Sequence, residues 1–406
     1  MLALVSLTRN ACRLCEAELI SVFTLPSTPA ANAFQTTRAA AVSLPKFPLE
    51  VNQCTRCEHF QLGVVVDAVH LFSDYAYTTG SSPALVEHFS ELAGLLVAEL
   101  EKNNLANRKS IILEVGSNDG SFLAAMRTLG CNVLGVEPAK NLAEAANDCG
   151  IATLNTFFNE KTATLIAKDG LIDAFVATNV FAHIDDLRGA LSALKSCAHE
   201  QTIGVIEVQY VGALLEKGHF DNIYHEHLDY HGARTFGWAL ANTGWNVTRI
   251  EKISTHGGSL RFWVKNSQAG GRFSVGEDSS AYLQEGTRDF TREWKTLAKK
   301  VCAVGAHLRE QLRPYNRVLC YGAPAKLTTL MYGLGLEQFP FIGVIDDAPS
   351  KQFKFTPGMG LQVLPATALK EANFDAVLVC AWNYSVGIKQ KLRNAGVTVP
   401  VIVPFE

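Results

Sequence analysis

No apolar stretch in this sequence approaches the roughly 20 residues that span a bilayer. An integral membrane protein is therefore not expected. The opening "MLALVSLTRN" is apolar but carries no basic n-region, and no small-residue cleavage site follows it. Charge of one sign is also lacking: 36 Lys+Arg against 39 Asp+Glu leave a formal net charge of −3. No basic field is available to hold a nucleic-acid backbone. H-E-x-x-H, which sets two imidazoles on one helix face, does not occur, and neither does the dinucleotide fingerprint G-x-G-x-x-G. What these absences leave is a cytoplasmic protein with neither a membrane nor a nucleic-acid partner, its oligomeric state open.

What is present is globular. Apolar residues make up 48% and charged residues 18% of 406 positions, a length that calls for two or three domains rather than one core. Six of the 10 cysteines (Cys131, Cys149, Cys197, Cys302, Cys320, Cys380) are scattered singly and read as reduced packing residues. The other four form two C-x-x-C pairs, "CRLC" at Cys12 and Cys15 and "CTRC" at Cys54 and Cys57. Such pairs let four thiolates converge tetrahedrally on one zinc, each pair wrapping the ion through a tight turn. Two disulfides or free thiols are the alternatives, and a cytoplasmic setting disfavours disulfides. Four thiolates leave no open position for water, so this metal is expected to supply folding energy rather than catalysis. "LPSTPAANAF" and "LPKFPLEV" between the pairs read as extended, proline-rich loop and strand, as in a zinc ribbon.

The segment "KSIILEVGSNDGSFLAAM" reads as a buried strand, a glycine turn at Gly116 and Gly120, and the start of a helix. "CNVLGVEPAKNLAEAA" supplies the next strand, ending in Glu137, and another helix. Together they make a βαβ unit whose ligand lies at the carboxyl ends of the strands, where Glu137 can accept from both ribose hydroxyls. The turn G-S-N-D-G places Asp119 where a pyrophosphate would be repelled and an ammonium-bearing methionine tail welcomed. S-adenosylmethionine is thus favoured over NAD, with Gly116, Asn118, Asp119, Glu137 and Asn179 as its contacts. "IDAFVATNVFAHIDDL" reads as strand four and a helix opening near Asn179, with Asn179, Phe181 and His183 facing the cleft; Asn179 could instead be only a cap. "TIGVIEVQY" is strand five, and "WNVTRIEKIS" with "GGSLRFWVKN" reads as a closing antiparallel pair.

Between strand five and that pair lies "FDNIYHEHLDYH", three histidines, two tyrosines and three carboxylates in one short stretch. A metal site, acid–base catalysis and a solvated turn all compete for it. His225, Glu226 and His227 are chain neighbours rather than one helix face, which weakens the metal reading.

The residues resemble a known family: the sugar C-methyltransferases, notably 3-C-methyltransferases acting on nucleotide-linked 4-keto deoxysugars. The paired C-x-x-C segment, "YAYTTGSS", "LEVGSNDGSFL", "GVEPAKN", "ATNVFAHIDDL", "FDNIYHEHLDY" and "YGAPAK" carry the resemblance across nearly the whole chain. Where the family has glycine after the last cysteine pair, this chain has Glu58-His59. The resemblance implies an α/β protein with three parts. These are a zinc-ribbon-like module over 1–70, a class I methyltransferase Rossmann-like domain over 71–268 and a second Rossmann-like domain over 269–406. In the last, "RVLCYGAPAKLTTLMYGLGL" reads as strand, glycine turn and helix, without a second acidic-ribose signature, so it is expected to hold part of a nucleotide-diphospho-sugar, thymidine being the implied nucleoside.

The implied chemistry is methylation at C3 through an enolate. A C4 ketone acidifies the C3 hydrogen, and the protein supplies a base and donors for the enolate oxygen. By resemblance His227 is the general base, with His225 the second candidate. Glu226 orients the base or holds a sugar hydroxyl, and Tyr224 donates to the oxyanion. Tyr77 and His183 line the substrate pocket. Tyr75 is expected to pack, and Tyr230 and His231 to be structural. Lys326, with the helix N-terminus near Ala323, either meets the diphosphate or is a solvated helix lysine. Methylation of oxygen or nitrogen on a related sugar, a non-catalytic zinc-containing binding module and an NAD-dependent sugar dehydrogenase are the rival readings.

Overall fold

A computed structural model describes residues 6–405 apart from 74, 76, 106–109 and 268–279. The boundary expected at 268/269 lies outside the described residues.

The N-terminal part contains β1 (Ser6–Thr8), β2 (Leu19–Thr28), β3 (Phe47–Cys54), β4 (Phe60–Leu62) and β5 (Val64–Val66). Strands β2, β3 and β4 form an antiparallel meander, while β1 pairs with β5 in a separate ribbon. Alternation sends Phe23, Leu25, Leu49 and Val51 into the core, as a half-covered sheet requires.

The central sheet follows. Strands β6 (Ile111–Val115), β7 (Asn132–Val136), β8 (Thr153–Leu154), β9 (Ile172–Thr178) and β10 (Ala198–Gln209) are all parallel. The apolar runs of β6 and β9 are buried on both faces, the signature of parallel strands under helices. A two-residue strand, β11 (Asp229–Tyr230), leaves this domain and pairs with β4. Strands β12 (Trp245–Ile253) and β13 (Ser259–Asn266) then close the sheet, β13 running antiparallel to both β10 and β12. The resulting order, β8-β7-β6-β9-β10-β13-β12, is the seven-stranded class I methyltransferase arrangement, with its reversal at β6 where a ligand crevice opens.

The C-terminal sheet comprises β14 (Val318–Tyr321), β15 (Phe341–Ile345), β16 (Val363–Leu364), β17 (Ala376–Val379) and β18 (Val401–Ile402), all parallel in the order β16-β15-β14-β17-β18. It too is a doubly wound α/β layer. The helix Phe290–Leu312 ties it to the rest: its Trp294 is fully buried, with ring centroids 5.4 Å from Phe23, 5.7 Å from Phe60 and 6.1 Å from Tyr230. Such a clustered aromatic contact fixes the cysteine module against both other parts. Among the described residues no helix is long and apolar enough to cross a membrane.

One expected element moves. The helix after β9 starts at Leu187, not near Asn179, because Asp186 caps it by accepting from the Gly189 N–H at 3.0 Å. Asn179 sits instead at φ 58°, its N–H given to the Glu207 carbonyl at 2.8 Å.

Candidate active site and metal centre

The four paired cysteines meet. The sulfurs of Cys12 and Cys57 lie 3.5 Å apart and those of Cys15 and Cys54 3.4 Å apart, and all four fall within 4.8 Å of one another. A tetrahedron of thiolates about 2.3 Å from zinc has edges of about 3.8 Å, so the set fits the ion, whereas a disulfide would need about 2.05 Å. The N–H groups of Leu14, Arg56 and Cys57 point at Cys12 and Cys54 Sγ, which favours thiolate. The Cys57 thiol donating to Cys12 brings the latter down to about 5 and raises its own affinity for the proton. Glu16 and Glu58, the residues after each pair, both have φ 62°, a left-handed turn that suits glycine. Here a glutamate adopts that backbone at both positions.

The module is more than a folding device. Arg13, inside the first pair, donates to the Leu62 and Leu228 carbonyls at 2.9 and 3.2 Å, and its Nε meets Asp185 at 3.1 Å. His59, just past the second pair, is fully buried and bonded to Asp229 Oδ1 at 2.7 Å. Both residues bolt the module to the stretch that carries the histidine cluster.

That cluster is a β-turn. The His227 N–H returns to the Tyr224 carbonyl at 2.8 Å, so positions one and four come together while the two between point elsewhere. Tyr224 and His227 stack with ring centroids 4.2 Å apart, and the phenol lies 3.0 Å from Nε2. Nδ1 is 2.7 Å from the Asn222 carbonyl; a carbonyl only accepts, so Nδ1 carries the proton and Nε2 accepts from Tyr224. Burial, then the neighbouring His183, pushes His227 down to about 3. It is a neutral imidazole with its lone pair on Nε2. His183 stands edge-on at 5.1 Å and is itself lowered to about 4 by burial. Burial likewise lifts the Tyr224 phenol well above its ordinary value, keeping it a donor.

His225, the second candidate base, is turned away. Its Nε2 donates to the Pro48 carbonyl at 3.2 Å and its ring meets Phe47 edge-on at 5.6 Å. The turn throws it into the N-terminal module, and it cannot share the cleft with His227. Glu226 points a third way and is 1% exposed. It accepts from Asn32 Nδ2 at 2.7 Å and from the Tyr75 hydroxyl at 3.0 Å. Burial raises its carboxyl to about 7 against those two donors. Tyr75, expected only to pack, is therefore a polar member of the site, and Asn32 is a member the sequence reading missed. An asparagine in a proline-rich loop carries no signal of a partner 194 residues away.

The glycine turn forms a cradle. Gly116 has φ 67°, and a Cβ there would come 2.5 Å from Val180 Cγ2, so only glycine fits. Glu137, at the end of β7, accepts from the Asn118 N–H at 2.8 Å and the Ala139 N–H at 2.9 Å. Burial raises it while those amides hold it down, and each oxygen keeps a lone pair for a ribose hydroxyl. Asp119 accepts from the Gly80 N–H at 2.7 Å and the Ser121 hydroxyl at 2.6 Å. Asn118 accepts from the Thr79 N–H at 2.9 Å and donates to the Tyr77 carbonyl at 3.1 Å. The "YTTGSS" segment is thereby laid over the turn, with Tyr77 41% exposed beside it. These donors and acceptors fit the adenosine and amino-acid ends of S-adenosylmethionine.

Lys326 is neither solvated nor free. It lies 3.5 Å from Asp221, a buried carboxylate that also accepts from Trp382 Nε1 at 2.7 Å. The expected helix N-terminus is corrected too: the helix is Leu327–Gly333, and the Ala323 N–H is given to Asp346 Oδ2 at 2.7 Å. Asp346 also accepts from the Ala348 N–H at 2.9 Å. It follows β15 as Glu137 follows β7, with the same pair of backbone donors, so a second acid at a strand end exists where none was read. Sequence gave no warning because Asp346-Asp347 sits in a plain acidic doublet. His256, also missed, sits at φ 51° in "STHGGS", close enough that its charge would depress both His183 and His227.

The chain is similar to known proteins along its length. Residues 12–72 match the family described as "Putative zinc binding domain", 86–250 the "Methyltransferase domain" and 254–404 the "C-methyltransferase C-terminal domain". The C-methyltransferase NovU of Streptomyces niveus is 30% identical over 97% of this chain and 96% of its own. Among solved structures, an S-adenosylmethionine-dependent methyltransferase from Clostridium acetobutylicum covers 44% of this chain and 92% of its own at 11% identity and TM-score 0.37. Magnesium protoporphyrin IX methyltransferase of Synechocystis with bound SAM covers 49% and 88% at 14% identity and TM-score 0.34. The chain belongs to the C-methyltransferases, with S-adenosylmethionine as methyl donor and a four-cysteine centre that fits zinc.

Proposed function

We propose that the enzyme methylates C3 of a nucleotide-linked 4-keto-6-deoxysugar, the nucleotide being dTDP, in the biosynthesis of branched-chain deoxysugars. Residues 1–70, 71–268 and 269–406 would serve as zinc module, methyl-donor domain and nucleotide-sugar domain. The observation that carries this reading is the Tyr224–His227 pair, a neutral imidazole and a phenol 3.0 Å apart beside His183. Enolate chemistry asks for that combination of base and oxyanion donor; a hydroxyl acceptor would need only the base.

Bound S-adenosylmethionine supplies an electrophilic sulfonium methyl, positioned by Gly116, Asn118, Asp119, Glu137 and Asn179. His227 Nε2 takes the C3 proton, and the Tyr224 O–H turns from that nitrogen to the oxygen at C4 as charge builds there. Glu226, turned away from the imidazole toward Asn32 and Tyr75, holds a sugar hydroxyl rather than orienting the base, while Tyr77 and His183 confine the hexose. The diphosphate end belongs near Lys326 and the nucleoside near Asp346. This soluble-substrate chemistry is consistent with a cytoplasmic enzyme.

Substrate deuterated at C3 tests the reading. Product lacking the label supports carbon chemistry; retained deuterium would point to transfer to oxygen or nitrogen. With His227→Ala, exchange of the C3 proton with solvent, followed by NMR without methyl donor, should cease.

A further inference from the structure

We propose that Asn32, carried by the N-terminal cysteine module, is a positioning residue of the active site, its side-chain amide fixing the carboxyl of Glu226. The inference rests on Glu226 belonging to the proposed catalytic turn.

Asn32 lies in the insert between the two cysteine pairs, just past two buried alanines, Ala30 and Ala31. Its Nδ2 reaches Glu226 Oε1 at 2.7 Å, and Tyr75 takes the other oxygen at 3.0 Å. A carboxyl this buried is costly to leave unpaired, and these two donors come from two different parts of the chain. The loop that presents Asn32 is locked three residues later. Gln35 and Phe355 exchange both backbone hydrogen bonds, at 3.1 and 2.7 Å, and the Lys351 ammonium sits 5.8 Å from the Phe34 ring centroid. Asn32 is thus clamped between the cysteine knuckle and the C-terminal domain, so its amide arrives as a fixed donor rather than a mobile one.

The consequence is electrostatic. Glu226 faces Asn32 from the cysteine module and Tyr75 from the segment ahead of the glycine turn, and the Tyr224 phenol feels its charge. Both donors favour its ionised form against burial. Asn32→Ala removes one of them and should shift protonation of Glu226 to higher pH. Asn32→Asp replaces a donor with a second carboxyl and should shift it further. Asn32 is only half-buried, so neither change is expected to unfold the chain.

The experiment is a 13C-carboxyl NMR titration of the full, zinc-loaded chain, with Glu226→Gln identifying the resonance. The expected midpoint rises by about one pH unit in Asn32→Ala and by more in Asn32→Asp. S-adenosylmethionine affinity by calorimetry should stay at the wild-type level. In the methyl-transfer assay the pH profile of kcat should move in the same direction, with KM for the methyl donor unchanged. An unchanged midpoint in Asn32→Ala with the fold intact overturns the inference. Because the titration needs no sugar substrate, it holds or fails independently of whether C3 is the methylated atom.

Discussion

Tyr224 and His227 occupy the first and last positions of one β-turn, and the tyrosine hydroxyl donates to the histidine Nε2 at 3.0 Å. The pair is self-contained: the phenol satisfies the base's lone pair and can leave it for a developing oxyanion. Tyr224→Phe should therefore lower kcat by roughly 100- to 1,000-fold, the usual cost of losing one oxyanion donor. S-adenosylmethionine affinity, read by calorimetry, should not change. Wild-type kcat in this variant would remove Tyr224 from the chemistry.

Glu226 predicts a pH-dependent stability difference. Its folded value of about 7 exceeds its ordinary 4.5, so between those values the folded state holds more protons than the unfolded state. Stability from this group is thus lost as pH rises from 4.5 to 7, and flat above. Glu226→Gln abolishes that loss. The variant should gain on wild type by about 3 kcal/mol between pH 4 and pH 8, measured by urea denaturation at both. A pH-independent difference would contradict the burial argument.

Removing the metal should release one zinc per chain, counted by native mass spectrometry. The melting temperature should fall by roughly 10 °C or more, because the free energy of binding the ion is folding free energy for a module that holds its four ligands together. Cys54→Ser should behave like chelated wild type. Since Arg13 sits between two ligands and holds the Leu228 carbonyl at 3.2 Å, methyl transfer should fall with zinc content even below the melting temperature.

Glu137→Ala should weaken S-adenosylmethionine binding by about 100-fold, the loss expected for two hydrogen bonds to a charged acceptor. Its carboxylate also anchors the Asn118 amide at 2.8 Å, so part of the loss is preorganisation. Glu137→Gln should recover some affinity. A dissociation constant equal to wild type in the alanine variant would place the ribose elsewhere.

Local chemistry was readable wherever it stays local. The apolar run of β6 followed by Gly116 marks strand and turn, since a buried parallel strand and a positive φ each demand particular residues nearby in the chain. Two C-x-x-C pairs name their metal because thiolate geometry is fixed by the ion. Glu137 could be placed at a strand end for the same reason, since the periodicity determines where β7 stops. By contrast, the helix near Asn179 was misplaced by several residues, because Asp186 competes as a cap and nothing in the pattern ranks the two.

Sequence by itself therefore determined the layers, the four-cysteine centre, the glycine turn and the stretch in which the histidines gather. The tertiary structure alone decided what each member of that cluster does. A four-residue turn sends adjacent side chains in different directions, so His225 is given to Pro48, Glu226 to Asn32 and His227 to Tyr224. Which partner waits in each direction depends on how distant segments pack, as with Lys326 and Asp221. Such pairings are set by the burial of whole domains against one another, and no local pattern of residues encodes them.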